Sequence, residues 1–163
     1  MKTLLIFRHA KSSWKAPNST DHDRPLNKRG KHDAPRMGRL LREQNLVPDL
    51  IVSSTANRAR TTAATVAENC GYERAVELNS DLYHADSQTC IQVLRELYSD
   101  VLCVMLVGHN PGLEELLEAL TGVDEPLPTA ALAQVTLPIS SWSEIHIETE
   151  GTLANLWRPR ELA

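Results

Sequence analysis

Two histidines and three arginines stand where an alternating strand and helix pattern would expose its chemistry. Arg8 and His9 close the apolar run that begins at Thr3, and Gly108-His109-Asn110 closes the aliphatic run Val101 to Val107. Ser54 ends a third apolar run, and Arg58 opens the helical segment that follows it. Arg24 lies in the polar stretch after His9, long enough to fold back over the same crevice. In sheets of parallel strands, ligands bind beyond the carboxyl ends, where such loops converge. Clustered guanidinium groups repel one another and are costly to desolvate without an anion. Their planar donor forks match phosphate oxygens. A helix starting near Ala56 would add backbone N–H groups and a favourable dipole. The set suits a phosphoryl group.

Of the six histidines, His9 and His109 carry the functional expectation, and His22, His32, His84 and His146 are read as structural. A zinc site drawn from His9, His22, His84 and His109 is disfavoured by the adjacent arginines and by the absence of an HExxH-like spacing. No metal and no cofactor are therefore expected. Cys70, Cys90 and Cys103 are odd in number and lack CxxC spacing, which argues against a disulfide framework and fits a reducing, cytoplasmic location. The longest apolar runs are too short to cross a bilayer, and the N-terminus lacks the pattern of a signal peptide.

The elements that must position these residues can be read from periodicity. Residues 3–8 form a buried strand, followed by a loop from Ala10 to Pro25. Leu26 to Asn45 is helical, with Asn27 as its cap and Pro35 as a kink or first-turn marker. Asp49 to Ser54 is a strand, Ala56 to Cys70 a helix stopped by Gly71, and Val76 to Leu78 a short strand. Ser87 to Tyr98 is helical with Ser87 as N-cap, Val101 to Val107 is the clearest buried strand, and Leu113 to Leu120 is a helix. Ala133 to Leu137 and Leu153 to Trp157 read as late strands, with a further one at Trp142 to Ile147. This alternation implies an α/β fold, a central mostly parallel sheet flanked by helices in three layers, in one domain over residues 1–163.

The chain has 163 residues, a mean hydropathy of −0.29 and a net charge of −4. Its charge is unevenly distributed: residues 1–60 hold 13 Lys and Arg against 5 Asp and Glu, and residues 61–163 hold 4 against 16. Local cations in an acidic chain suit a specific anion. They do not suit nucleic acid, for which no basic balance or groove-reading motif is present. Arg36, Arg39 and Arg42 read as a solvated helix face.

The motifs themselves resemble a known family. Arg8-His9-Ala10 resembles the Arg-His-Gly signature of the histidine-phosphatase (phosphoglycerate mutase-like) superfamily. Arg24-Pro25-Leu26-Asn27-Lys28-Arg29-Gly30 is similar to its Arg-Pro-Leu-Thr-x-x-Gly segment. Ser54 to Thr62 resembles Ser-x-x-x-Arg-Ala-x-x-Thr, and Gly108-His109-Asn110-Pro111 resembles the second histidine motif. The short length points to the phosphohistidine phosphatase (SixA) branch. The resemblance implies a phosphoglycerate mutase-like fold and a phosphatase in which His9 attacks phosphorus to form a phosphohistidine intermediate. Arg8, Arg58 and His109 would hold the transferring oxygens, and Arg24 would be a further phosphate contact. The expected partner is a phosphorylated protein bearing phosphohistidine, or a small phosphorylated metabolite.

Two departures from the family pattern bear on chemistry. Ala10 stands where glycine is usual, which would be unfavourable if that position required positive φ. Larger relatives place a general-acid glutamate after the third strand; here the nearest carboxylates are Asp81 and Asp86. Without such an acid an alkoxide leaves poorly, whereas the imidazole of a phosphoramidate leaves readily. The alternatives are a small-molecule phosphomonoesterase with an unrecognised acid, for which Ser12-Ser13-Trp14 resembles the mutase branch, and a non-catalytic phosphate-recognition module.

Overall fold

The computed structural model describes residues 1–15, 17 and 19–162. Ala16 and Asn18, inside the expected loop after His9, lie outside the described residues, as does Ala163. Six strands form one sheet in the order β3-β2-β4-β1-β5-β6. These are β1 (Lys2–Arg8), β2 (Leu50–Ser53), β3 (Glu77–Leu78), β4 (Cys103–Gly108), β5 (Leu132–Leu137) and β6 (Thr152–Trp157). β1, β2, β3 and β4 run parallel, while β5 and β6 add an antiparallel edge. The sheet is thus mostly parallel, as expected.

Helices cover both faces, which is why β1 and β4 read as unbroken apolar runs. On one face Leu5, Phe7, Met105 and Val107 pack under α1 (Lys28–Glu43) and α2 (Asn57–Cys70). On the other, Leu4, Ile6, Val104 and Leu106 pack under α3 (Ser87–Arg95) and α4 (Gly112–Thr121). All eight of these strand side chains are fully buried, each worth on the order of 2 kcal/mol of apolar burial. Alternate residues therefore anchor opposite layers, and neither face can slip by one residue without exposing its core.

The β1–β4 pairing positions the site. Arg8 lies opposite Gly108, so His9 and His109 leave adjacent strands at the same level. After β1 the chain turns to α1 on one face, and after β4 it turns to α4 on the other. That divergence opens a crevice between the two strand ends.

Several local expectations differ from the structure. α3 is capped by Asp86, whose side chain accepts from the Thr89 amide at 2.8 Å, and not by Ser87. The helix also ends at Arg95, short of Tyr98. Pro35 lies within α1 and so does not mark its first turn, whereas Asn27 does cap it. Trp142 to Ile147 is not a strand: Trp142–Glu144 is a 3₁₀ turn with Ser141 and Glu144 forming a capping box. Trp142 is buried and its indole N–H donates to the Val101 carbonyl at 2.8 Å. Burial of Trp142 and Ile145 in the core, and not ladder pairing, accounts for the apolar signal there.

Candidate active site

His9 is held by its own main chain. Its amide donates to the Gly108 carbonyl, and its carbonyl accepts from the Ala130 amide at 3.0 Å. The ring is almost buried, with Nδ1 2.8 Å from the Ala10 carbonyl oxygen. A carbonyl can only accept, so Nδ1 carries the proton and Nε2 keeps its lone pair. Burial, with Arg58, Arg8 and Arg24 adding to it against the Ala10 hydrogen bond, lowers the His9 pKa to about 4. The ring is therefore neutral at pH 7, with a free nucleophilic nitrogen.

Ala10 takes the glycine position without strain. Among the described residues, positive φ at a non-glycine occurs at Asn45, His84 and Ala130, and not at Ala10. The Ala10 amide donates to Thr62 Oγ1 at 3.0 Å, and that hydroxyl donates to the Arg58 carbonyl at 2.6 Å. One threonine on α2 thus ties the loop after His9 to the turn that presents Arg58. Gly30 secures the same loop from α1, since a Cβ there would lie 2.1 Å from the Lys11 carbonyl oxygen. Only glycine lets α1 pack this closely on it.

His109 faces His9, with ring centroids 5.0 Å apart. Its Nε2 lies 2.8 Å from Ser54 Oγ, and its Nδ1 is buried without a partner. Burial, followed by His9 and Arg58, lowers its pKa to about 3. Ser54 Oγ accepts from the Ala56 amide and still has a proton to give; when it donates that proton to Nε2, the ring hydrogen lies on Nδ1.

The arginines converge on the same cavity of about 470 Å³, whose lining includes Arg8, His9, Arg24, Arg58, His84 and His109. Arg8 donates to the Leu127 carbonyl at 3.0 Å. Arg58 donates to the Asp21 carbonyl at 2.7 Å and to its carboxylate at 3.2 Å. Arg24 donates to the other Asp21 oxygen at 3.2 Å, and its guanidinium stacks 3.4 Å from the Trp14 ring centroid. Even so, Arg8 Nε, Arg24 Nη1 and Arg58 Nε remain buried with no partner among the described residues. Buried donors without acceptors are costly, and an oxyanion in the cavity would satisfy them. At the start of α2 the Asn57 amide donates to the His22 carbonyl at 2.8 Å and the Ala56 amide to Ser54, so these two N–H groups are already engaged within the protein.

A family model, the histidine phosphatase superfamily (branch 1), matches residues 4–90. The chain belongs to that superfamily. An uncharacterised chloroplast protein of Arabidopsis thaliana is 36% identical over 152 residues, covering 88% of this chain and 70% of the relative. A crystal structure from Agrobacterium tumefaciens, described as a candidate phosphohistidine phosphatase SixA, is 30% identical with a TM-score of 0.81, over 97% of this chain and 98% of that one. The protein histidine phosphatase SixA complexed with tungstate shares the fold at 24% identity and a TM-score of 0.84, over 99% of each chain. This histidine phosphatase is accordingly a phosphatase, with a phosphoglycerate mutase-like α/β fold.

The structure brings Arg8, His9, Arg24, Arg58 and His109 together on the one cavity. It leaves Asp81 and Asp86 off the cavity wall. Asp86 serves as a helix cap, and Asp81 sits exposed in the 3₁₀ turn Ser80–Leu82. The histidine phosphatase has other wall residues that periodicity does not reveal. Asp21 bridges Arg24 and Arg58 and accepts from the Tyr83 hydroxyl at 2.5 Å. The Tyr83 bond, with Arg58 and Arg24, holds the Asp21 carboxyl down at about 2. His84, read from sequence as structural, lines the cavity, stacks on Tyr83 at 3.9 Å and has a φ of 60°. The other three histidines lie off this cavity: His22 Nε2 is 2.9 Å from Thr55 Oγ1, His32 Nδ1 is 3.3 Å from Asp33 Oδ1, and His146 Nδ1 accepts from the Glu148 amide. The sequence signal available for Asp21 was its place three residues before Arg24, the spacing of an ion pair. Tyr83 lies 62 residues from Asp21 and offered no such signal.

Among the described residues, no group of three or more His, Cys, Asp or Glu side chains could hold a metal ion. No helix among them is long and apolar enough to cross a membrane.

Proposed function

We propose that this phosphatase hydrolyses phosphohistidine, with His9 Nε2 attacking phosphorus and the substrate imidazole leaving. A covalent phosphohistidine on His9 would then be cleaved by water. Arg8, Arg24, Arg58 and the Nδ1–H of His109 would receive the equatorial oxygens, and the neutral state of both histidines before binding favours this division of roles. The partner is a phosphorylated protein in the cytoplasm. The three unpaired cysteines support that compartment, and no nucleic acid or membrane enters the scheme.

The observation that carries the substrate reading is the state of Asp21, the one carboxylate on the cavity wall among the described residues. With a pKa of about 2 it is ionised at neutral pH and cannot deliver a proton to an alkoxide. An imidazole leaving group needs no such donor, because a phosphoramidate can be protonated on the substrate itself. The test is a direct comparison of kcat/KM for free phosphohistidine and for a simple alkyl phosphate such as phosphoserine. We expect the phosphoramidate to be favoured by at least about 100-fold, the scale of the general-acid contribution the ester lacks. Faster turnover of the ester overturns the substrate assignment and leaves the nucleophile standing.

His84 favours a second reading. It is exposed on the cavity wall, and its left-handed backbone is the kind of local strain that collects at functional sites. An imidazole there could protonate an ester oxygen, which would make the chain a small-molecule phosphomonoesterase. The same comparison, repeated in a His84 variant, separates the two.

A further inference from the structure

The cavity does not end at the phosphoryl site. It shares Lys11 and Thr129 with a small groove that also contains Arg29 and Arg160. That groove in turn shares Arg29, Pro159 and Arg160 with a larger one, of about 460 Å³, that runs along the start of α1 past Lys28 and His32. We propose that this continuous cationic track docks an acidic protein surface flanking the phosphohistidine, so that the enzyme selects phosphorylated proteins with carboxylates beside the target residue. The inference rests on the phosphohistidine reading above and specifies its substrate class.

Three observations support it. First, Lys11, Lys28 and Arg160 are exposed and, among the described residues, engage in no ion pair. Among the described residues, the one carboxylate side chain lining the larger groove, Asp33, is buried and already faces Arg29 at 3.5 Å and His32 at 3.3 Å. The track is therefore cationic in a chain whose net charge is −4.

Second, the cations sit where the fold gains least from them. Lys28, Arg29, Lys31 and His32 occupy the first turns of α1, and no acidic residue stands in its first turn. A helix N-terminus carries partial positive charge, so cations there oppose the dipole. A sequence serving only the helix would place Asp or Glu at these positions. Third, the track has firm walls. Pro159 is buried, the Pro159–Glu161 turn packs on α1, and the Pro159 carbonyl accepts from Arg36 at 3.4 Å. Such a surface attracts a complementary charge pattern and fixes its register.

The test uses the whole enzyme and two synthetic peptides, each with one phosphohistidine, flanked in one case by glutamates and in the other by glutamines. At low ionic strength the glutamate peptide should show a kcat/KM about 5- to 10-fold higher, mainly through KM, and the preference should shrink as salt screens the track. Lys28→Glu with Arg160→Glu should abolish or invert the preference while leaving kcat/KM for free phosphohistidine unchanged. Lys28→Glu alone should raise Tm, since it replaces a cation by an anion at the helix start. Equal rates on the two peptides, a preference that survives the double variant, or a fall in Tm for Lys28→Glu overturns the docking proposal. Failure of the enzyme on free phosphohistidine as well overturns the substrate reading beneath it, and so the two failures are distinct.

Discussion

The floor of the cavity is held by main-chain bonds, whereas its rim is held by side chains reaching across from loops. On the floor, His9 hangs between the Gly108 carbonyl and the Ala130 amide, and His109 follows β4 in register with it. On the rim, Asp21, Arg24, Trp14 and Tyr83 hold one another through an ion pair, a stacked guanidinium and a hydroxyl–carboxylate bond. Sheet hydrogen bonds cannot relax without disturbing two cores, but a loop can move at small cost. On the proposed mechanism the floor supplies chemistry common to any phosphoryl substrate, while the rim, apart from the reach of Arg24 to the phosphoryl oxygens, would choose which substrate arrives. Substitutions should divide accordingly.

The largest effect belongs to the floor. His9→Ala should lower turnover by at least about 10⁴-fold on every substrate, the scale seen when a nucleophile is removed. Its fold should survive, because the His9 main chain makes the bonds that matter to the sheet. Circular dichroism and an acid-quenched trapping experiment with labelled phosphoramidate check both halves. Label retained on the variant would show that the nucleophile lies elsewhere.

Next comes pH. As the proposed nucleophile His9 must be neutral at Nε2, and its folded pKa is about 4. Activity as kcat/KM should therefore stay level on its acid side down to about pH 4 and then fall about ten-fold per unit. Stability behaves differently. Unfolded histidine titrates near 6.5, and both His9 and His109 have lower folded values. Between about pH 4 and 6.5 the unfolded chain binds more protons, so stability is full above 6.5 and declines as pH falls through that window. The slope approaches ~1.4 kcal/mol per pH unit for each ring. An acid limb of kcat/KM near 6.5 would mean that the rings are far more hydrated than the floor geometry allows.

The floor was largely legible in the sequence because it follows from where strands end. Arg8, His9 and His109 sit at the ends of apolar runs, and the parallel pairing of β1 with β4 brings those ends level. Gly30 and Thr62 lie within the family-like motifs, yet their roles emerge only from packing: a carbonyl that tolerates no Cβ, and a hydroxyl shared between two loops. The rim was mostly illegible. Asp21 and Tyr83 meet through a long-range contact that carries no period, and Asp86 reads as a possible acid until its capping bond to Thr89 is seen. Late apolar residues mislead for a similar reason, since the burial of Trp142 resembles a strand when only hydropathy is considered.

Ser54 lies between the two regimes and tests the boundary. It is buried at the end of β2 but acts through one side-chain bond to His109. Ser54→Ala should reduce kcat about ten-fold, the worth of one hydrogen bond of about 1.4 kcal/mol, with little change in KM. Because Ser54 is a positioning residue, the ¹⁵N shifts of His109 should report a change of tautomer, which a purely structural role would leave alone. Ser54→Thr, which keeps the hydroxyl, should restore most of the loss.

The smallest effect, and the sharpest test of the comparison, is at His84. Alanine is a poor probe there, since a left-handed backbone strains most L residues; asparagine tolerates it and removes the imidazole. If the rim only selects, His84→Asn should change kcat/KM for phosphohistidine by less than about 3-fold, because the leaving imidazole takes its proton without help. Any residual activity on phosphoserine should fall further, since the ester would lose the wall imidazole that the second reading makes its proton donor. A loss of about 100-fold on phosphohistidine would instead place His84 in the chemical step itself. The division between floor and rim would then fail at the residue that bridges them. Stacked on Tyr83, which binds Asp21, and held in place where Gly112 of α4 packs against the Ala85 carbonyl, His84 is the rim group the floor could most easily recruit.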